Sequence, residues 1–179
     1  MSYSLLSKAI LYAVQKHDGE YREGEGGLPY STHPVEVCTL LRYVGNVMDE
    51  DLLCVAVLHD VLEETPTKAA EIKREFGERI SKLVTELTRT EPTAKQTEGM
   101  AKEEIWSLRS GMLLDEVSKM SSDAQQVKLA DRLANLRQAK ITRKGEKLKR
   151  YVRQTKKMLE IIPKSVNPAL WRAISAELD

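Results

Sequence analysis

The sequence predicts an all-α fold, a helical bundle closed into one domain. Three observations predict it. Apolar residues recur every three or four positions over most of the chain, no stretch alternates strongly enough to require a sheet, and Gly or Pro punctuates the periodic segments. The 179 residues match the ~100 to 200 expected of a single domain. With 41% hydrophobic and 31% charged residues the chain buries a core and stays solvated, which excludes a disordered polymer.

The elements follow in order. Leu5, Leu6, Ala9, Ile10 and Ala13 form one stripe of a first helix that ends near His17. Asp18 to Thr32 reads as a loop, broken by Gly19, Gly24, Gly26, Gly27 and Pro29. A second helix is expected from His33 to Tyr43, with Pro34 in its first turn and Thr32 near its cap. A third runs from Asp49 to Glu64, burying one face. Thr65-Pro66-Thr67 makes a turn and cap for a helix reaching Phe76, and Gly77 divides it from a helix carrying Ile80, Leu83, Val84 and Leu87. Thr88 to Gly99, polar and containing Pro92, reads as a mobile loop. A long helix to Lys119 follows, and Ser121-Ser122-Asp123 then caps a helix striped by Val127, Leu129, Ala130, Leu133 and Leu136. Gly145 precedes a basic helix through Ile162, and Pro168 opens a short terminal one.

No membrane association is expected. The longest apolar run, LLCVAVL, is far short of the ~20 residues that cross a bilayer, and Lys8 interrupts the only candidate leader. Cys38 and Cys54 fall on core-facing positions, and one pair makes no disulfide framework, so free thiols and a cytoplasmic location are expected.

The stretch from Leu52 to Glu64, LLCVAVLHDVLEE, concentrates the chemistry. Its apolar run delivers His59-Asp60 and then Glu63 and Glu64. On a continuous helix each of these two carboxylates would follow a potential metal ligand by one turn. Such a density of ionisable groups on a buried helix demands pairing or a metal. Two ligands do not close a site, and the chain has only two other histidines, His17 and His33. His17 reads as a structural residue at a helix end, whereas His33 is set at a helix start. Asp131 falls within the leucine stripe of a later helix, where an acid needs a partner. A cation shared with His33, His59 and Asp60 would be one. Two imidazoles with two carboxylates suit several divalent first-row metals.

These residues resemble the H…HD…D pattern of the HD-domain metal phosphohydrolases, with His33, His59-Asp60 and Asp131 as its members. The chain is further similar to the hydrolase half of the RelA/SpoT family of alarmone enzymes. Arg22 in EYREGEGGLPYSTHP, the LHDVLEETPT block, EFGERISKLVTELT and KLADRLANLR carry that likeness, which covers Leu5 to Tyr151. It implies one HD-domain helical bundle over residues 1–179 and, without the long extension of a synthetase domain, a small stand-alone alarmone hydrolase. It also implies manganese as the metal, activating water and neutralising phosphate charge. Glu63 and Glu64 would orient or deprotonate that water, or protonate the leaving group. The implied reaction removes the 3′-pyrophosphate of guanosine tetra- or pentaphosphate, leaving GDP or GTP. Among substrate contacts, Arg22 would hold the base, Asn135 and Tyr151 would line the ribose and phosphates, and Lys128 and Arg132 would border the Asp131 motif. Lys95, Lys102 and Arg109 are placed to close over the polyphosphate. The family allows self-association.

Three positions depart from the family pattern. Glu64 stands where Asp is usual, Ala134 where His is frequent, and Gln138 where Thr is frequent. The extra methylene of Glu64 lengthens the reach of a carboxylate, and a misplacement of roughly 1 Å can cost about a hundredfold in rate. Two other readings therefore stand beside the first: an HD phosphohydrolase of another nucleotide, such as an adenine alarmone or NADPH, and a weakly catalytic domain that senses alarmone. The stretch from Arg137 to Lys157 holds ten Lys or Arg against the single acid Glu146, in a chain of net charge only +1. With Tyr151 its sole aromatic, it offers no stacking ladder for single strands, so a nucleic-acid partner is disfavoured and steering of an anionic nucleotide preferred.

Overall fold

The structure, a computed structural model, describes residues 4–22, 24 and 27–178; Gly26, one of the loop breakers, lies outside them. The described residues form helices α1 (Leu5–Lys16), α2 (Thr32–Tyr43), α3 (Glu50–Leu58), α4 (Val61–Glu64), α5 (Ala69–Phe76), α6 (Glu78–Leu87), α7 (Ala94–Thr97), α8 (Lys102–Lys119), α9 (Ser122–Thr142), α10 (Gly145–Ile161) and α11 (Pro168–Leu178). Among them no strand occurs, only an isolated bridge between Tyr21 and Pro29. The all-α expectation is met.

The core is organised around α3. Asp49 caps it, its carboxylate accepting from the amides of Asp51 and Leu52. Every residue from Leu52 to Leu58 is buried, with α1, α2, α6 and α9 packed around the helix. A helix enclosed on several sides needs apolar residues all round, so the expected one-sided face is corrected to full burial. The expected single helix from Asp49 to Glu64 is also interrupted, at His59-Asp60. On a straight α-helix adjacent side chains diverge by about 100°. The break lets the His59 and Asp60 side chains converge. Below it, the Asp60 carbonyl accepts from the amides of both Glu63 and Glu64 and starts α4.

Other boundaries follow local chemistry. Ser121 caps α9, its hydroxyl accepting from the Ala124 amide, and Gly77 adopts φ +89° between α5 and α6, a conformation that favours glycine. Two expected caps are corrected. Thr32 is the first residue of α2 and donates its hydroxyl to Pro29 O, while Lys68 precedes α5 and Thr67 is buried, accepting from the Thr65 hydroxyl. The segment from Thr88 to Gly99, read as a loop, contains α7, which a Thr93–Gln96 capping box closes. Cys38 and Cys54 are free and buried, and burial pushes their thiols up to about 11 and about 12, which makes them inert. No helix of the described residues is long and apolar enough to cross a membrane.

The corner between α2 and α3 is tight. A Cβ on Gly45 would stand 2.6 Å from the Leu41 carbonyl oxygen and 3.0 Å from Leu170 Cδ1. The Gly45 carbonyl accepts from Asn167 Nδ2 at 2.9 Å, tying the corner to the start of α11. Gly45→Ala is expected to cost about 1–3 kcal/mol of stability, the usual range for overpacking. Thermal denaturation would then show a midpoint lowered by roughly 2–4 °C per kcal/mol. An unchanged midpoint would mean that the corner relaxes freely.

Candidate active site

Three helical regions bring the site together. α2 supplies His33 from its first turn, the break after α3 supplies His59 and Asp60, and α9 supplies Asp131. The ligand atoms of His33, His59 and Asp60 all lie within 4.8 Å of one another. Asp131 Oδ1 stands 3.3 Å from His33 Nε2 and 3.6 Å from His59 Nε2. His33, His59 and Asp60 thus meet at one point, with Asp131 beside both imidazoles, and His33, His59 and Asp131 are buried.

The electrostatics of that point are those of a cation site. Burial pulls the His59 imidazole down, but the Asp60 and Asp131 carboxylates outweigh it and raise its pKa to about 10. Burial would likewise raise the Asp60 carboxyl, yet His59 and His33 hold it well below the usual range. Asp131 is also held well below, with Lys128 the strongest opponent of its burial. His59 Nε2 lies 3.1 Å from Asp60 Oδ1, but the contact is not aligned as a hydrogen bond, and this buried nitrogen has no hydrogen-bond partner. A divalent cation fits the set. It would replace the proton between the carboxylates and give that nitrogen a partner.

The surrounding bonds aim each group. His59 Nδ1 lies 2.8 Å from the Ala56 carbonyl, which makes Nδ1 the donor and leaves Nε2 facing the cluster. Asp131 Oδ2 accepts from Lys128 Nζ at 2.9 Å, while Asn135 Nδ2 donates to Oδ1. Tyr30, which the sequence did not single out, donates its hydroxyl to Asp60 Oδ2 at 2.6 Å, and its ring packs against His17 with centroids 4.8 Å apart. His17 itself is buried at the end of α1, with Nδ1 2.6 Å from Glu20 Oε2. Tyr30→Phe is expected to weaken divalent-metal affinity about 10- to 100-fold, the usual effect of losing an outer-shell partner. Calorimetric titration with Mn²⁺ reads it directly, and an unchanged affinity would show that Asp60 needs no such support.

The carboxylates after the motif differ from each other. Both Glu63 oxygens are taken, Oε1 by Arg89 Nη2 at 2.6 Å and Oε2 by the Arg89 amide at 3.2 Å. Burial pushes the Glu63 carboxyl up, against the pull of Arg89. Glu64 is exposed, its carboxylate makes no hydrogen bond or ion pair among the described residues, and it lines the cleft.

That cleft has two lobes. The metal lobe, about 560 Å³, is lined by His33, Asp60, Asp131, Glu63, Glu64 and the cations Arg89, Arg109, Lys128, Arg132 and Arg143. The second, about 690 Å³, carries Arg22 and Gln138 beside a basic rim. Tyr30, His33, Trp106, Asn135 and Arg143 line both. Arg22 is buried at its edge, with Nη1 3.0 Å from Glu36 Oε2. Tyr151 lines the metal lobe, with the guanidinium groups of Arg132 and Arg143 4.6 and 4.7 Å from its ring centroid. Arg109 lines that lobe and pairs with Glu91 at 2.7 Å; Lys95 and Lys102 line neither lobe. Ala134, at a departure from the family pattern, is buried and lines neither lobe.

This fold, with two imidazoles and two carboxylates at the floor of a cation-lined cleft, defines the HD class of metal-dependent phosphohydrolases. The HD domain family (HD_4) matches residues 9–159. Human guanosine-3′,5′-bis(diphosphate) 3′-pyrophosphohydrolase MESH1 is 33% identical over 132 residues, covering 74% of this chain and 68% of MESH1. The GTP pyrophosphokinase rsh of Brucella ovis is 32% identical over 192 aligned positions, which cover 98% of this chain but 24% of that protein. The chain therefore spans about a quarter of the length of that relative. The solved structure of a metazoan orthologue of SpoT that hydrolyses ppGpp and plays a role in starvation responses superposes with a TM-score of 0.83 at 25% identity, covering 99% of this chain and 95% of the other. The chain belongs to the HD-domain family, and its helical fold is that of its SpoT and MESH1 relatives.

Proposed function

We propose that the protein is a metal-dependent hydrolase that removes the 3′-pyrophosphate of guanosine alarmones, with His33, His59, Asp60 and Asp131 holding manganese. The observation that carries the reading is the clustering of His33, His59 and Asp60, with Asp131 3.3 and 3.6 Å from the two imidazoles, around an unpartnered, buried His59 Nε2 in a cation-lined cleft. Once bound, the metal would supply Lewis-acid activation of water and neutralise charge on the scissile phosphate. The chain's own residues divide the rest. Glu64, free and in the cleft, moves the proton between water and leaving group. Glu63, clamped by Arg89, holds that arginine in place beside the departing pyrophosphate. Lys128 fixes Asp131, and Arg109 and Arg132 add positive charge where the leaving group gains negative charge. Arg22, Asn135 and Tyr151 orient the nucleoside, placing the 3′-phosphate at the metal.

The test is an incubation of manganese-loaded protein with guanosine tetraphosphate, its adenine counterpart and NADPH in parallel, with products resolved by ion exchange. Pyrophosphate and GDP from the first substrate are expected. Orthophosphate from NADPH alone would move the substrate, and no turnover at saturating metal would refute the hydrolase reading.

A further inference from the structure

Arg132 stands in the wall of the metal lobe as a buried cation without a counter-charge. It is 4% exposed, and no carboxylate pairs with it among the described residues. Arg89, Arg109 and Lys128, which line the same lobe, pair with Glu63, Glu91 and Asp131 respectively. A buried charge ordinarily has an anionic partner, because burial alone is costly. Two residues of α10, one turn apart, hold Arg132 instead. The Tyr151 ring centroid lies 4.6 Å from the guanidinium carbon, and Gln154 Oε1 accepts from Nη1 at 3.0 Å. Gln154 is anchored in turn: its Nε2 donates to Ser110 Oγ on α8 at 2.9 Å, and both residues are buried. Since a guanidinium only donates, the amide must turn its oxygen to Arg132 and its nitrogen to Ser110.

The choice of partner decides what the charge can do. A carboxylate at position 154 would satisfy the same hydrogen bond but would neutralise the guanidinium. An amide and a ring face fix its direction and leave its charge for an anion that enters the lobe. Resting on the reading of the metal lobe as the place from which pyrophosphate departs, we propose that Gln154, backed by Ser110, is a positioning residue for that step. It holds Arg132 at the wall of the lobe with its charge uncompensated, so that the leaving group receives that charge in full.

The decisive substitution is Gln154→Glu, which keeps the shape and the acceptor and adds only a negative charge. A residue that only braced the fold would tolerate it, because a carboxylate binds a guanidinium more strongly than an amide does. The variant is expected to melt no lower than the wild type and to bind Mn²⁺ equally well. Its kcat for guanosine tetraphosphate should nonetheless fall about 10- to 100-fold with KM little changed, somewhat less than the loss of an oxyanion donor outright. Pyrophosphate should inhibit it more weakly by a similar factor. An unchanged kcat in the folded variant, or inhibition by pyrophosphate as strong as in the wild type, would overturn the proposal. If Gln154→Glu does not fold, Ser110→Ala takes its place, since it unhooks the amide without altering any charge. A kcat lowered about 2- to 10-fold, the worth of one hydrogen bond, then supports the proposal, and an unchanged kcat overturns it. If the wild type turns over no alarmone, the hydrolase reading fails by itself, and calorimetry with manganese pyrophosphate still tests the arrangement. Weaker binding to Gln154→Glu, or to Ser110→Ala in its place, supports it, and equal binding overturns it.

Discussion

Asp131→Asn is expected to lose divalent-metal binding and turnover together, with kcat/KM falling more than about a thousandfold, while the helical content stays unchanged. The carboxylate serves two sets of partners: Oδ1 faces the His33 and His59 imidazoles, and Oδ2 accepts from Lys128. The amide keeps the shape and one acceptor but removes the charge that helps hold His59 at about 10. Asp131→Ala goes further, leaving the largely buried Lys128 ammonium without its carboxylate. Breaking a buried ion pair costs about 3–5 kcal/mol. The Ala variant should therefore also melt at lower temperature, and the Asn variant much less so. Titration with Mn²⁺, pyrophosphate release and thermal melting separate the two effects. Wild-type metal affinity in Asp131→Asn would remove this residue from the ligand set.

The four converging groups were legible before the fold was known because burial is costly for each of them. An acid among the leucines of α9, and a His-Asp pair closing the apolar run of α3, both demand partners, and the chain has few candidates. The helices were legible for the complementary reason that their apolar residues keep helical spacing. Contacts between residues distant in sequence were not. Nothing in the local pattern of Tyr30 announces that its hydroxyl reaches Asp60, 30 positions later. Arg89 lies in a segment read as a loop, and its pairing with Glu63 appears only once α4 and that segment are brought together. Trp106 lines both lobes because α8 packs beside α10, a feature of packing rather than of periodicity. The break after Leu58 was missed because the run of helix-compatible residues continues through it. It is imposed by two adjacent side chains that must point to one place, a tertiary demand overriding local propensity.

Glu64→Gln is expected to lower kcat about 10²- to 10⁴-fold, the usual contribution of a general acid or base, with metal affinity and KM little changed. The argument rests on the contrast with its neighbour. Each oxygen of Glu63 already accepts from Arg89, and that cation makes it the poorer proton carrier of the two. Glu64 has neither engagement and opens on the metal lobe. Glu63→Gln should therefore cost less. The Arg89 guanidinium also pairs with Glu91 at 3.0 Å, so it stays near the cleft when the Glu63 charge is removed. Glu64→Asp should preserve or raise activity if the family geometry holds. Its complete inactivation would mean that the pocket is built around the longer side chain. The ranking is decisive for mechanism. If Glu63→Gln is crippled and Glu64→Gln turns over normally, the Arg89 pair must open when substrate binds. The guanidinium would then transfer to the pyrophosphate and release Glu63 as the proton-moving group.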